Sequence, residues 1–213
     1  MYDPEIHNHD YQPIADSRYD IVNERPHVTI YSDGSFKPDI NYGGYGTLMQ
    51  CAGNGIVIYG GSASESNNRM ELRAVLTALR RLTCPCDVTV VSDSEYVVKG
   101  LNGYIWNWAS NNWLNTKRQP VANADLWQEM LGFCQVHFIK GHWIKGHAGH
   151  YENEICDRLA TIGAFESAGM PIPQAKQAWY ALERNKYPGA QDDETLPEYR
   201  IPDAEIRERV PRK

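Results

Sequence analysis

Three short runs in this 213-residue chain place a carboxylate where it can do chemistry: Tyr31-Ser32-Asp33-Gly34-Ser35, Asn67-Asn68-Arg69-Met70-Glu71-Leu72 and Ser92-Asp93-Ser94-Glu95. A fourth, Asp157, lies in Ile155-Cys156-Asp157. An acid on a rigid strand, with a glycine beside it that lets backbone or ligand approach, is a good place to hold a metal ion. Each also has an ordinary explanation. Asp33-Gly34 closes a hairpin equally well. Asn68 to Glu71 and Ser92 to Glu95 both read as capping boxes, and the stripe Ile155, Leu159, Ile162 points away from Asp157. Taken singly, none of the four demands catalysis.

The elements that must position them follow from periodicity. Val28, Ile30 and Ser32 alternate with Thr29, Tyr31 and Asp33, so His27 to Asp33 reads as a strand with Asp33 at its end. Tyr42 to Cys51 and Gly55 to Gly60 read as two further strands joined by Ala52-Gly53-Asn54, too short a loop for anything but an antiparallel hairpin. Leu72, Val75, Leu76, Leu79 and Leu82 recur at helical spacing, predicting a helix from Asn68 to Leu82. The apolar run Asp87 to Asp93 reads as a central strand. A strand, a helix and a strand imply a right-handed crossover and a parallel pair. If the first and fourth strands are neighbours, their carboxyl ends bring Asp33 and Asp93 together.

Two short helices are expected at Glu95 to Asn102 and Tyr104 to Ser110, another opening at Asn123 or Ala124, a last strand at Val136 to Ile144, and a closing helix at Tyr151 to Phe165. Residues 1–26 read as an irregular arm and 166–213 as a proline- and charge-rich extension, with one possible helix at Gln174 to Asn185.

The net charge of −6 is uneven: −4 falls in residues 1–26, −1 in 27–165 and −1 in 166–213. A near-neutral centre can still bind a phosphate backbone if cations face it. No stretch approaches the roughly 18 to 20 apolar residues of a membrane span, and no signal-peptide layout is present, so an intracellular, cytoplasmic protein is expected. Five cysteines without CxxC units argue for reduced structural thiols, with Cys84-Pro85-Cys86 marking a turn between helix and strand.

Taken together and in order, the runs above resemble type 1 ribonuclease H of the bacterial kind. They are joined in this by Gly43-Gly44-Tyr45-Gly46, Trp106-Asn107-Trp108, Asp125-Leu126-Trp127 and Lys145-Gly146-His147-Ala148-Gly149-His150. The resemblance covers about residues 27–165. It implies an α/β ribonuclease H-like fold: a five-stranded mixed sheet flanked by helices, with the first three strands antiparallel and the fourth and fifth parallel to the first. It implies an endonuclease that hydrolyses the RNA strand of RNA/DNA hybrids by a two-metal-ion mechanism, leaving 3′-hydroxyl and 5′-phosphate ends. The cofactor expected is a pair of Mg²⁺ ions, with Mn²⁺ as a substitute. Hard cations take oxygen ligands, and several carboxylates are needed to hold two of them close together.

By the same resemblance the metal ligands fall on Asp33, Glu71, Asp93 and Asp157, and a mobile catalytic histidine falls on His147, acting in proton transfer or product release. Substrate contacts fall on Gly34, Ser35 and Asn41, on Asn67 and Asn68 toward the RNA minor groove, on Ser66 in a phosphate pocket and on Asn123 toward the DNA backbone. Tyr104, Trp106, Trp108 and Trp113 fall where rings pack on deoxyribose, although core packing explains the tryptophans too. Residues 109–118 hold only two positive side chains, Lys117 and Arg118, and Asp39 stands where the family usually has an amide. A monomer acting on hybrid is expected, with weaker hybrid affinity and a shallower salt dependence than a lysine-rich relative.

Other classes stay in view. A zinc protein using Cys134, His137, His142, His147 and His150 is one, a hybrid-binding module without catalysis a second, and another nuclease of the same fold a third.

Overall fold

The structure, a computed structural model, describes residues 25–171 and the two-residue strand Gln191–Asp192. The expected helix at Gln174 to Asn185, the arm and most of the C-terminal extension lie outside the described residues. A single mixed sheet runs in the order β5-β4-β1-β2-β3-β6, comprising β1 (His27–Lys37), β2 (Tyr42–Cys51), β3 (Asn54–Ala63), β4 (Asp87–Ser92), β5 (Phe138–Trp143) and β6 (Gln191–Asp192). β1, β2 and β3 are antiparallel, while β4 and β5 run parallel to β1, as the first five strands were expected to do. The sixth strand, which sequence reasoning missed, pairs in parallel with β3 at Ile58 and Tyr59. Two residues carry too little pattern to be read as a strand.

The turn between β2 and β3 is tighter than expected. Only Ala52 and Gly53 connect the strands, both with positive φ (48° and 81°), which matches the twist of a two-residue hairpin loop.

Helices cover both faces. Val28, Ile30, Met49, Val88 and Val90 meet Leu72, Val75, Leu76 and Leu79 of α1 (Asn67–Leu79) and Trp127 and Met130 of α4 (Ala124–Cys134) in the main core. Leu48, Val57 and Tyr59 meet Ile155, Leu159 and Ile162 of α5 (Tyr151–Ser167) on the opposite face. Each such side chain, once fully buried, contributes on the order of 1.5–3 kcal/mol.

Glycines set how close α5 can come. A Cβ on Gly44 would stand 1.9 Å from the Ala160 carbonyl oxygen, and one on Gly46 would stand 2.3 Å from that of Cys156. The helix therefore rests on bare backbone of β2, next to β1.

The expected pair of short helices is present: α2 (Glu95–Lys99) continues into the segment Gly100–Tyr104, where the chain kinks at Gly103 (φ 175°, ψ −41°), and α3 (Ile105–Ser110) follows. Gly100 is required there because Trp127 packs on it, with a ring carbon 2.0 Å from where a Cβ would be. Cys84 and Cys86 lie in the turn before β4, and all five cysteines are free thiols. Burial pushes the Cys134 thiol up to about 12, which keeps it unreactive.

Candidate active site

Parallel register brings the first two acids together. Tyr31 of β1 pairs with Val91 of β4, so Asp33 and Asp93 both stand two residues beyond the last matched pair. Asp33 does not end its strand, as the sequence reading expected; β1 stays paired with β2 as far as Lys37, with Asp33 opposite Gly46. The reason is that β2 supplies hydrogen bonds after β4 has turned away at Asp93.

Glu71 arrives from α1. The expected capping box at Asn68 is not formed: Ser66 is the N-cap and its side chain accepts from the Arg69 amide. Glu71 thus lies two residues deeper than a capping-box acid would, and its carboxyl accepts from the Gly34 amide at the site instead of capping the helix. Likewise Ser94, not Ser92, caps α2, while the Ser92 hydroxyl accepts from the Ser94 amide. Asp93 is left out of both interactions. Gly34 lets α1 approach, since a Cβ there would stand 2.2 Å from the Glu71 nitrogen.

Ligand-capable oxygens of Asp33, Glu71 and Asp93 lie within 4.8 Å of one another, the only such cluster of histidine, cysteine or acidic groups among the described residues. Asp33 and Glu71 are each only 8% exposed. Burial, then the charges of Asp93 and Asp157, push the Asp33 carboxyl up to about 8, against the opposing pull of the Gly34 amide and Lys37. Burial, then Asp33 and Asp93, hold Glu71 well above the usual carboxylate range. Asp157 is half-buried on α5, outside the tight trio but near enough for its charge to be felt at Asp33. Its α5 neighbours explain this: the glycine floor of β2 brings the helix down beside β1.

Do these residues fit cations? The Glu71 Oε2 atom is buried without a hydrogen-bond partner. Crowded buried carboxylates with an orphan oxygen are a poor arrangement for a protein alone and a good one for hard divalent ions. The zinc alternative finds no such support, because the Nδ1 of buried His137 accepts from the Cys86 amide instead. Burial, aided by Arg25, holds His137 down at about 4.

Sequence reasoning missed three residues around Asp93. Asn153 of α5, 4% exposed, donates from Nδ2 to Asp93 Oδ2 at 3.4 Å. Trp143 donates its indole N–H to the Asp93 carbonyl at 3.0 Å. Gly146 packs on the carboxylate, with Oδ2 only 2.4 Å from where a Cβ would be. The spacing of Asn153 and Asp157, four apart on one helix face, was the available signal.

His147 is exposed and has a left-handed backbone (φ 51°), in the loop between β5 and α5 beside Gly149 (φ 82°). Of the expected substrate contacts, Gly34 is buried and Ser35 half-buried, both beyond Asp33 on β1. Exposed Asn41 donates to the Ser64 hydroxyl at 3.0 Å. Ser66 and Asn68 are exposed at the start of α1, and the Asn67 side-chain carbonyl accepts from the Phe36 amide, tying that start to β1. Asn123 has left-handed φ (57°); it donates to the Tyr96 hydroxyl at 3.1 Å and accepts from Arg69 at 3.4 Å. Arg69 in turn grips Asp125 through two bonds of 2.9 and 2.8 Å. Trp106, Trp108 and Trp113 are half-buried against the main core, and Trp108 packs edge-on to Trp127 at 5.3 Å. Tyr104, next to Trp108, is exposed.

Fold and site define an α/β protein with an acidic centre at the carboxyl end of its parallel strands. The family model described as RNase H matches residues 25–165. A ribonuclease H of Pelobacter propionicus is 46% identical over 144 residues, covering 68% of this chain and 88% of the relative. One of Legionella pneumophila is 41% identical over 139 residues, covering 65% and 97%. Among solved structures, LC9-RNase H1, a type 1 RNase H with the type 2 active-site motif, superposes with a TM-score of 0.62 at 28% identity, covering 75% of this chain and 83% of that one. The chain belongs to the ribonuclease H family, and with it is an enzyme, a nuclease and a hydrolase. Among the described residues no helix is long and apolar enough to cross a membrane.

Proposed function

We propose that this enzyme cleaves the RNA strand of RNA/DNA hybrids endonucleolytically with two Mg²⁺ ions, leaving 3′-hydroxyl and 5′-phosphate ends. The observation that carries the reading is the convergence of Asp33, Glu71 and Asp93 within 4.8 Å, with a buried Glu71 oxygen left without a partner. Asp33, Glu71, Asp93 and Asp157 hold the ions, and Mn²⁺ substitutes for Mg²⁺. When bound, the ion pair supplies an activated water and offsets charge on the attacking and leaving oxygens.

The chain's own groups do the rest. The paired interior of β1, the end of β4 and the second turn of α1 fix three acids before substrate arrives, so little reorganisation remains. His147, on an exposed loop flanked by glycines, carries a proton or assists product release. Gly34, Ser35, Asn41, Asn67 and Asn68 face the RNA strand, where 2′-hydroxyls distinguish RNA from DNA. Ser66 and Asn123 take a phosphate of the DNA strand, and Tyr104, Trp106, Trp108 and Trp113 line the deoxyribose side. Half-burial of the three tryptophans leaves only part of each ring for that role. Residues 27–165 form the catalytic domain of a cytoplasmic monomer, with residues 1–26 and 166–213 appended.

Cleavage of a 5′-labelled hybrid in Mg²⁺, comparing wild type with Asp33→Asn, tests this. Wild type should cut only the RNA strand, and Asp33→Asn should lose nearly all activity. Cleavage of duplex DNA, or full activity of the variant, overturns the proposal.

A further inference from the structure

One buried amide at the edge of the site is only half satisfied. Asn153 Nδ2 donates to Asp93 Oδ2, but its Oδ1 is buried with no partner. The opposite amide orientation would press two acceptors together, so the donor belongs on the Asp93 side. A buried acceptor left unmade is costly, and such groups in native proteins have a use. Asp93 itself is fixed by its main chain, through the Trp143 indole and the bond from the Ile144 amide to Ser92. Its carboxylate is backed by Gly146 and held by Asn153.

We infer that Asn153 is a positioning residue that orients the Asp93 carboxylate and offers Oδ1 to a water in the hydration shell of a cation held by the acidic trio. The inference rests on the two-ion reading above. Divalent magnesium keeps several of its waters, and those waters need acceptors around the site. Asn153 reaches the site from α5, one turn before Asp157, so one helix supplies both a charge and a neutral amide. Groups that orient metal ligands typically contribute 10- to 100-fold in affinity or activity.

The test is Mn²⁺ binding to the full chain by water-proton relaxation, with hybrid cleavage in parallel, for wild type, Asn153→Ala, Asn153→Leu and Asn153→Ser. Removing the amide with Ala or with the similarly sized Leu should weaken Mn²⁺ binding roughly tenfold. It should lower kcat while leaving KM for hybrid unchanged, and Ser, which keeps a short donor and acceptor, should recover part of both. In wild type, the Asn153 side-chain amide resonances should shift on Mg²⁺ titration, a measurement that needs no variant to fold. If variants melt earlier but bind Mn²⁺ as wild type does, or the amide resonances stay still, the role is structural and the inference fails. Failure of wild type to bind Mn²⁺ at all would instead overturn the two-ion reading.

Discussion

Gly34 lies against Glu71 so closely that a Cβ on residue 34 would stand 2.2 Å from the Glu71 nitrogen and 2.8 Å from its Cα. The neighbouring atoms are backbone, which cannot swing aside. Gly34→Ala must push α1 away from β1, at a cost of about 1–3 kcal/mol. It also moves Glu71 relative to Asp33, and a displacement of about 1 Å can cost roughly 100-fold in rate. Denaturant unfolding and initial cleavage rates check the two effects separately.

The acidic trio makes the cation-free protein sensitive to pH. Asp33 and Glu71 have raised folded-state affinities for protons, so the folded state binds more protons than the unfolded one from about pH 4 up to about 8. Stability therefore falls as pH rises through that window, opposite to the usual behaviour of ion-paired carboxylates. In chelator, the melting temperature should drop between pH 5 and 8. Asp33→Asn should flatten the drop, and Mg²⁺ should offset it by binding the folded state alone. A melting temperature that rises steadily over the same range in chelator would contradict the electrostatics described.

Arg69 joins α1 to Asp125 and Asn123, and its paired bonds hold the Asp125 carboxyl below the usual range. Lysine keeps the charge but not the planar fork. Arg69→Lys should lose about 1 kcal/mol of hybrid binding, roughly fivefold in KM, through a misplaced Asn123, with kcat little changed. Steady-state kinetics on hybrid reads this directly.

Residues 109–118 carry Lys117 and Arg118 as their only positive charges, and both are exposed. Each phosphate contact contributes about 0.9 to the slope of log affinity against log salt on B-form duplexes. Lys117→Ala and Arg118→Ala should each flatten the slope by about one. A wild-type slope as steep as that of a protein with many phosphate contacts would contradict the weak-affinity expectation.

Much of the scaffold was legible because it follows from short periods: the alternation of Val28 and Ile30 and the helical stripe from Leu72 to Leu79 both lead into the main core. The meeting of Asp33 with Asp93 was legible too, given two parallel neighbours. Other features depend on tertiary contact. Asp33 ceases to be a strand end because β2 extends the pairing to Lys37. Ser66 displaces Asn68 as the cap because the chain enters α1 straight from β3, with Asn67 tied to Phe36. The spacing of Asn153 from Asp157 was readable but uninformative alone, because an amide one turn from an acid gains meaning only once Asp93 is placed beside it. The apolar stripe of α5 argued against Asp157, and the glycines of β2 overrule it by lowering the whole helix toward β1.

That seating on bare main chain has a consequence for how damage spreads. Since α5 meets peptide groups at Gly44 and Gly46 rather than compressible side chains, it has almost no freedom to roll or slide in small steps. Lesions in the hydrophobic interior under α5 should therefore show as lost folding free energy well before the spacing of Asp157 from Asp33 drifts, and weakened enzyme should fail by unfolding rather than by gradual blunting.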